Sequence, residues 1–503
     1  MLSCRSKLLF GLLLACFMGI SCSSKVTQAT DQDSSNELVS TPSSASEMDK
    51  PSGTMSDSGS SQETSPGLAE STISFKEEVL PIIQNSCASC HTDRGPGVPH
   101  AKLDSVGDVS AFAFAIGAVV ETGAMPPWPA SELSVPFLHD VSLDPDQKNS
   151  IVRWVRSGAP LDLDIETPVT STQDVSFLIS YDQELSSTDF YDGEIGQPDE
   201  YRCFIFDPDL TETKYLTEYE FIPDQTEVVH HLVGYKVSGE YRAAAERKNA
   251  SEEEGGWSCF GSTGLGDDQI LTFWGPGTGA IKYQEGTGLK MDPGDFFVMQ
   301  IHYHYDIEAP EDRSVFRTVW STSEVTQPIL ISTYLAPAEI PCAEWEEGPL
   351  CERDNAYLYA SAQYDGVVQA NQILEACGYT PQDYASMTNG IASSTCDLRA
   401  GFDGIISAVL GHQHNIGASF RMTLNPDTQE EVVLLDIPDW DFEWQYAYYP
   451  IEEINVDRKD IIRLDCVWDR SLRPAGLEPS YVLWADGSND EMCFAVIMSY
   501  QKN

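Results

Sequence analysis

The spacing of apolar residues changes character several times along this chain. Arg5 and Lys7 precede an unbroken apolar run from Leu8 to Ile20, too short to cross a bilayer comfortably, and the pattern reads as an export signal over 1–22. Residues 23–72 are rich in Ser, Thr, Asp, Glu, Gly and Pro, hold almost nothing to bury, and predict a disordered tether. Helical spacing follows. Phe75, Val79, Ile82 and Ile83 share one face, with Pro81 expected to bend the helix. Phe112, Ile116, Val119 and Val120 mark a second helix, stopped by Gly123. A third starts at Asp144, with Pro145 in first position and Gln147 completing a capping box. It passes through Ile151, Trp154 and Val155 and stops at Gly158, with Pro160 beyond. From about residue 175 helical spacing becomes rare. Short β-branched and aromatic runs such as EVVHHLVGY, FFVMQIHYHY and IIRLDCVWD alternate with Gly, Pro and Asp turns, the pattern of antiparallel β-sandwiches.

Length and charge narrow the picture. A chain of 503 residues is too long for one core and suggests roughly three domains. With 79 Asp and Glu against 29 Lys and Arg, the net charge of −50 repels nucleic acid and anionic lipid, so nucleic-acid partners are excluded. Such a surface is a solvated acidic coat or a means of steering a cationic substrate or a basic redox partner. Gly19-Ile20-Ser21-Cys22 resembles a bacterial lipoprotein cleavage box, with Gly19 where Leu is usual; an ordinary signal cleaved nearby is the alternative. The expected location is the periplasm or the outer membrane and cell surface, with a lipid anchor at Cys22 as the only membrane contact. Eight cysteines beyond residue 200, an even number in an exported chain, imply disulfides: Cys203, Cys259, Cys342, Cys351, Cys377, Cys396, Cys466 and Cys493.

Cys87-Ala88-Ser89-Cys90-His91 has the C-x-x-C-H spacing of covalent haem attachment. Two thiols add to the haem vinyl groups, and the adjacent His91 is positioned to ligate iron. No second C-x-x-C exists to complete a zinc site. Met125, in TGAMPPWPA, is the expected sixth ligand, being the only Met between the haem motif and Pro160. His100, His139 or an open position are the alternatives. The predicted unit is an all-α cytochrome c-like domain at 73–163.

Six of the nine histidines fall in strand-like contexts. His412 and His414, two apart, face one side of a strand and can converge on a metal. His230 and His231 are adjacent and share a metal only if the strand bends or ends there. In QIHYHYD, Phe297, Met299, Ile301, Tyr303 and Tyr305 form the apolar face, leaving Gln300, His302 and His304 on the other. Imidazoles on the open side of a sandwich suit a metal site better than a core.

These motifs together resemble the peptidylglycine α-hydroxylating and dopamine β-hydroxylating copper monooxygenases, over about residues 200–500. In that family one copper is held by an adjacent His pair and a His in a Q-[VI]-H-Y strand, which maps here onto His230, His231 and His302. The other is held by H-x-H and a distant Met in D-E-M-C, which maps onto His412, His414 and Met492. The resemblance implies two β-sandwich, jelly-roll-like domains at 175–325 and 326–503, with the two coppers facing across a cleft. It implies O2-dependent hydroxylation of a small organic substrate at His412, His414 and Met492, where a soft thioether favours Cu(I). The other copper holds and delivers the second electron, and ascorbate or another reductant is co-substrate. His304 has no family role and is expected in a surrounding or surface position. The resemblance also implies bridges Cys203–Cys259 and Cys466–Cys493, while Cys342–Cys351 and Cys377–Cys396 are pairings by proximity. Tyr235 stands where the family has a Cys beside the His pair. The segment from Phe75 to Pro160 is similar to the small cytochrome modules that precede such domains in some bacteria.

The peptide hydroxylases grip a substrate carboxylate with an Arg two residues before H-x-H and with Asn and Tyr just after M-C. Leu410, Phe494 and Val496 occupy those positions, which argues against a peptidylglycine substrate. The sequence therefore predicts a copper monooxygenase whose haem either relays electrons from a reductant or a redox partner protein or serves as a sensor or docking module. A non-catalytic electron-transfer or copper-handling lipoprotein is the rival.

Overall fold

The computed structural model describes residues 73–501 except 93–94, 96, 174–178, 189, 194–198, 253–254, 260–261, 267–268, 276–277, 306–309, 323–326, 364–368 and 486. The export segment with Cys22 and the tether lie outside the described residues. No helix among the described residues is long and apolar enough to cross a membrane.

The first described part is helical. Ser74 caps a π-helical turn, Phe75–Val79, which runs into the helix Leu80–Ser86 and then Ala88–His91. Pro81 sits in the first turn of Leu80–Ser86, where its missing N–H costs nothing. It thus starts an α-helix where a bend in mid-helix was expected. The second predicted helix is Ala113–Thr122, ended by Gly123 at φ 81°, and a further helix, Val106–Ala111, precedes it. Phe112 falls at the break and is 36% exposed, so it is not core. Ala113, Gly117 and Val120 face inward instead. Gly117 permits a close helix crossing, since a Cβ there would stand 2.9 Å from Val155. The capping box of Asp144 and Gln147 starts Pro145–Arg156, whose Ile151 and Trp154 are fully buried.

The rest is chiefly antiparallel sheet. A nine-stranded sheet runs in the order Gln183–Ser186, Val315–Ser321, Lys214–Ile222, Thr287–Met291, Gln327–Ala336, Cys493–Tyr500, Gly404–His412 and Ile454–Val456, with Ile281–Lys282 paired to Lys214–Ile222 off this path. A five-stranded sheet of Trp257–Ser258, Asp199–Phe206, Phe296–His304, Val229–Val237 and Gln269–Trp274 packs with the first half of it. A four-stranded sheet of Ile391–Arg399, Ile461–Asp469, Gly417–Leu424 and Val432–Ile437 packs with the second half. The halves are joined by a short parallel pairing, Gln327 to Thr287 and Pro328 to Gly288. Two sandwiches thus share one continuous sheet.

The alternating residues fill two cores. Phe297, Met299, Ile301 and Tyr303 pack with Leu216 and Phe316 in one, and Phe420, Met422, Leu464 and Trp468 with Ile406 and Ile497 in the other. Each such side chain contributes about 1.5–3 kcal/mol on burial. The helices Arg353–Gln363, Ala370–Cys377 and Pro381–Tyr384 interrupt the second half, where strands dominate the sequence pattern. All four cysteine pairs named above are bridged: Cys203–Cys259, Cys342–Cys351, Cys377–Cys396 and Cys466–Cys493.

Candidate functional site

His230 and His231 lie in Val229–Val237, and His302 lies on the neighbouring strand Phe296–His304. Val229 pairs with Tyr303 and His231 with His302, so the register slips by one residue at His230. This bulge lets two adjacent histidines serve one site, which regular alternation forbids. The Nδ1 atoms of His230 and His231 are 3.0 Å apart, and those of His231 and His302 are 3.2 Å apart. One ligand atom from each of the three histidines lies within 4.8 Å of the others. Three lone-pair nitrogens converging without protons between them are unfavourable unless a cation joins them. His230 Nε2 donates to Glu443 at 3.0 Å, which leaves its Nδ1 lone pair facing His231 and available to a metal.

His302 is not on an open face, being only 2% exposed. Tyr201 stacks on its ring at 4.2 Å between centroids and nearly parallel, 3° between planes. His304 is exposed, and its ring is 6.1 Å from that of His230.

His412 ends the strand Gly404–His412, and His414 follows in the turn, with ring centroids 5.0 Å apart. His412 Nδ1 donates to Gln445 Oε1 at 2.5 Å, and Gln445 Nε2 donates to the Phe442 carbonyl at 2.7 Å, so the amide orientation is fixed. His414 Nδ1 donates to the Asp490 carbonyl at 3.2 Å. The Gln445 bond leaves His412 Nε2 available to a metal, and His414 is held by the backbone of Asp490 and Gly487.

Met492 is half-buried and directly precedes Cys493–Tyr500, in which Phe494 pairs with His412. The link between Met492 and His414 is Glu491. Its Oε2 accepts from the backbone of His414 at 2.9 Å, the backbone of Met492 at 3.2 Å and Trp468 Nε1 at 3.0 Å. Its Oε1 accepts from Ile416 N at 2.8 Å. Burial pushes this carboxyl up to about 8, against the backbone amides of His414, Ile416 and Met492 and then the Trp468 indole, which favour its ionised form.

Burial also holds the imidazoles neutral. His412 is lowered to about 4 by burial, opposed by Gln445. His414 lies well below the ordinary 6.5 from burial and then His412. His231 is well below it too, from burial, then His302, His230, His412 and His414. The two clusters are thus electrostatic neighbours. Phe442 stands between them, its ring 5.5 Å from His230, 6.1 Å from His231 and 6.0 Å from His414. The site residues absent from the sequence reading are Glu491, beside the Met ligand position, and Phe442, Glu443 and Gln445. The last three stand in DWDFEWQY, where polar and aromatic residues alternate strictly; that period-two pattern is the signal that could have drawn notice.

Leu410, Phe494 and Val496 form a small apolar cluster with Phe273, Ile331 and Leu335, and Met492 packs on it. Phe494 is 5.8 Å from the Phe273 ring and 6.1 Å from the His412 ring. The void beside Leu410 and Val496 is only about 10 Å³, so these side chains are a packed wall and not an open lining.

The C-x-x-C-H residues line a separate cavity of about 940 Å³, together with Met125, His100 and His139. Cys87 and Cys90 are not bridged. Burial, and then Cys90, pushes the Cys87 thiol up to about 12. His91 Nδ1 donates to the Ala101 carbonyl at 2.7 Å, leaving Nε2 as the free nitrogen. Gly97 leaves room for that ring, since a Cβ there would stand 2.6 Å from His91 Cε1. Met125 is half-buried, whereas His100 and His139 are exposed. The opposite wall comes from the sandwiches, with Thr278, Tyr283, Trp444 and Tyr446 among its residues. Volume, unpaired thiols and a tautomer-fixed histidine all fit a covalently held haem.

No curated protein matches the chain. Among solved structures it is similar to allantoicase from Saccharomyces cerevisiae, at 9% identity and a TM-score of 0.17 over 66% of this chain and 86% of that one. The major capsid protein P2 of bacteriophage PM2 is similar at 6% identity and a TM-score of 0.22, over 64% of this chain and 98% of that one. Residues 194–309, which carry His230, His231 and His302, match the family model of the copper type II ascorbate-dependent monooxygenase N-terminal domain.

Proposed function

We propose that the protein is an exported copper monooxygenase that hydroxylates a C–H bond of a small organic substrate with O2. Ascorbate or another reductant supplies electrons through a covalently attached haem. The observation that carries this reading is the convergence of His230, His231 and His302 inside the stretch matching a copper monooxygenase domain. His412, His414 and Met492 are the second copper set, its donors two imidazoles and a soft thioether. Copper, when bound, supplies one-electron redox chemistry and O2 binding. Cys87, Cys90, His91 and Met125 would hold the haem. The boundaries at 73–163, 175–325 and 326–503 and the lipid anchor at Cys22 belong to the same proposal.

The chain's own residues do the positioning. Glu443 and Gln445 hold the His230 and His412 rings in ligating tautomers. Glu491 ties the Met492 and His414 backbones to one carboxylate. Leu410, Phe494 and Val496 keep water from the Met492 side and present no cation to a substrate carboxylate, which favours an apolar or amine substrate.

Exported protein should hold two copper ions and one covalent haem per chain. It should consume O2 with a reductant and a substrate identified by a mass-spectrometric screen. Met492→Ala should abolish turnover and leave the copper at His230, His231 and His302 in place. Full activity in that variant refutes the assignment. Copper and haem without O2 consumption on any substrate would favour the copper-handling or electron-transfer reading.

A further inference from the structure

Five consecutive residues, Phe442 to Tyr446, touch both histidine clusters and the haem-sized cavity. They begin in a turn closed by Trp444 N donating to the Asp441 carbonyl at 3.2 Å, and their side chains divide between the two sides. Glu443 accepts from His230, and Gln445 accepts from His412. The intervening Trp444 and Tyr446 line the cavity. Their rings stack at 6.3 Å, and Tyr446 stacks in turn on Trp128, also at 6.3 Å. Tyr446 is an electrostatic neighbour of Cys90, one of the two haem-attaching thiols.

We propose that Phe442–Tyr446 is the electron bridge between the haem cavity and the copper sites, with Tyr446 and Trp444 at the haem end and Gln445 as the link into His412. The inference rests on the haem and copper reading above and names the residues that connect the two. Electrons tunnel more readily through covalent and hydrogen bonds than through empty space. From the Tyr446 ring the route is one peptide unit to Gln445, its side chain, and the hydrogen bond to His412 Nδ1. The amide of Gln445 is pinned at both ends, by His412 and by the Phe442 carbonyl, so this contact is held in place. The parallel branch through Glu443 ends on a carboxylate whose side chain is 60% exposed, which leaves it open to solvent. One transfer converts ferrous to ferric haem iron and cupric to cuprous ion. No bond breaks and no proton moves, and two transfers serve one turnover.

The test uses full-length protein whose haem and copper contents have been measured. Ferrous haem is generated by a flash in anaerobic protein loaded with Cu(II), and its oxidation is followed by absorbance. Unaltered protein should show a first-order phase independent of protein concentration. Gln445→Leu and Tyr446→Leu should each slow it by about tenfold or more, with haem spectrum and copper content retained. Tyr446→Leu touches no histidine, so it decides the matter if Gln445→Leu loses copper. Wild-type rates in Tyr446→Leu and in a copper-replete Gln445→Leu would overturn the bridge. A haem that stays ferrous in the unaltered, fully loaded protein would overturn it too, while leaving the copper reading intact. Protein that binds no haem or no copper would overturn the reading itself, and the bridge with it.

Discussion

Glu491 is fully buried, and four N–H donors aim at its two oxygens. Three of them belong to His414, Ile416 and Met492, so the carboxylate sets the path of the turn that presents His414 and Met492. All four partners are donors and none accepts, so the geometry favours the ionised carboxylate that burial opposes; Glu491→Gln keeps the shape but turns one oxygen into a donor facing donors. Each unsatisfied buried N–H costs about 1–3 kcal/mol. The variant should therefore melt at lower temperature. It should also bind Cu(I) at His412, His414 and Met492 about 10- to 100-fold more weakly, with the other copper unchanged. A Cu(I) titration of metal-free protein measures this, and unchanged affinity at both sites would remove Glu491 from the account. The imidazoles make a pH prediction. In the folded chain His412 titrates near 4, against an ordinary 6.5, and His231 and His414 lie well below that value as well. Between those limits the unfolded chain binds more protons than the folded one, so acid favours unfolding. The imidazole contribution to the stability of metal-free protein should be complete above about pH 6.5 and fall as pH approaches 4, opposed over the same range by Glu491, whose raised value favours the fold at lower pH. Melting temperatures across that window test it, and His412→Asn should flatten the slope.

The elements show why some of this is readable from sequence and some is not. Period-two alternation in FFVMQIHYHY places Phe297, Met299 and Ile301 in the core and His302 opposite, because a strand has only two faces. Capping chemistry at Asp144 and Gln147 is equally local. The bulge at His230 is not, since it exists only against the register of Phe296–His304. Nor is the shared sheet, which depends on Gln327 meeting Thr287 from the other half. Glu443 and Gln445 escape notice because their partners are more than thirty residues away, 213 and 33 respectively. The Cys466–Cys493 bridge acts at this scale. Cys466 lies in the four-stranded sheet and Cys493 in the nine-stranded one, so the bond ties the two layers directly beside Met492. It closes a loop with a sequence separation of 27. Replacing both cysteines with Ala should cost roughly 3–4 kcal/mol. It should also loosen Met492, so copper at that site should be lost before copper at His230, His231 and His302. Denaturant melts and stepwise chelation follow the two effects. Simultaneous loss of both coppers would show that the bridge supports the whole sandwich and not the Met492 end.

In the whole molecule, the stretch after Met125 binds the helical part to the second sandwich. Ser131 N donates to the Asp436 carbonyl at 2.8 Å, Val135 N to the Val433 carbonyl at 3.0 Å, and Leu138 N to the Tyr449 carbonyl at 2.8 Å. The return bond runs from Ile451 N to the Pro136 carbonyl at 2.9 Å. Phe137 is 5% exposed and belongs to the core of the second sandwich, with its ring 5.0 Å from Tyr448. A haem ligated by Met125 would therefore be fixed to the sandwich and not carried on a swinging arm. Unfolding should respect the same connection, because cooperative units follow contacts and not chain order. In native-state hydrogen exchange, the amides of Ser131, Val135 and Leu138 should open together with those of Val432–Ile437. The helix Ala113–Thr122 should open at lower free energy, since the helical core is smaller and separate. Phe137→Ala should cost about 3–5 kcal/mol and lower the opening energy of Val432–Ile437 as well as its own loop. If Ser131, Val135 and Leu138 instead exchange with Ala113–Thr122 while Val432–Ile437 stays protected, the loop is part of an independent helical domain, and the fixed placement of the haem cavity against Trp444 and Tyr446 fails with it.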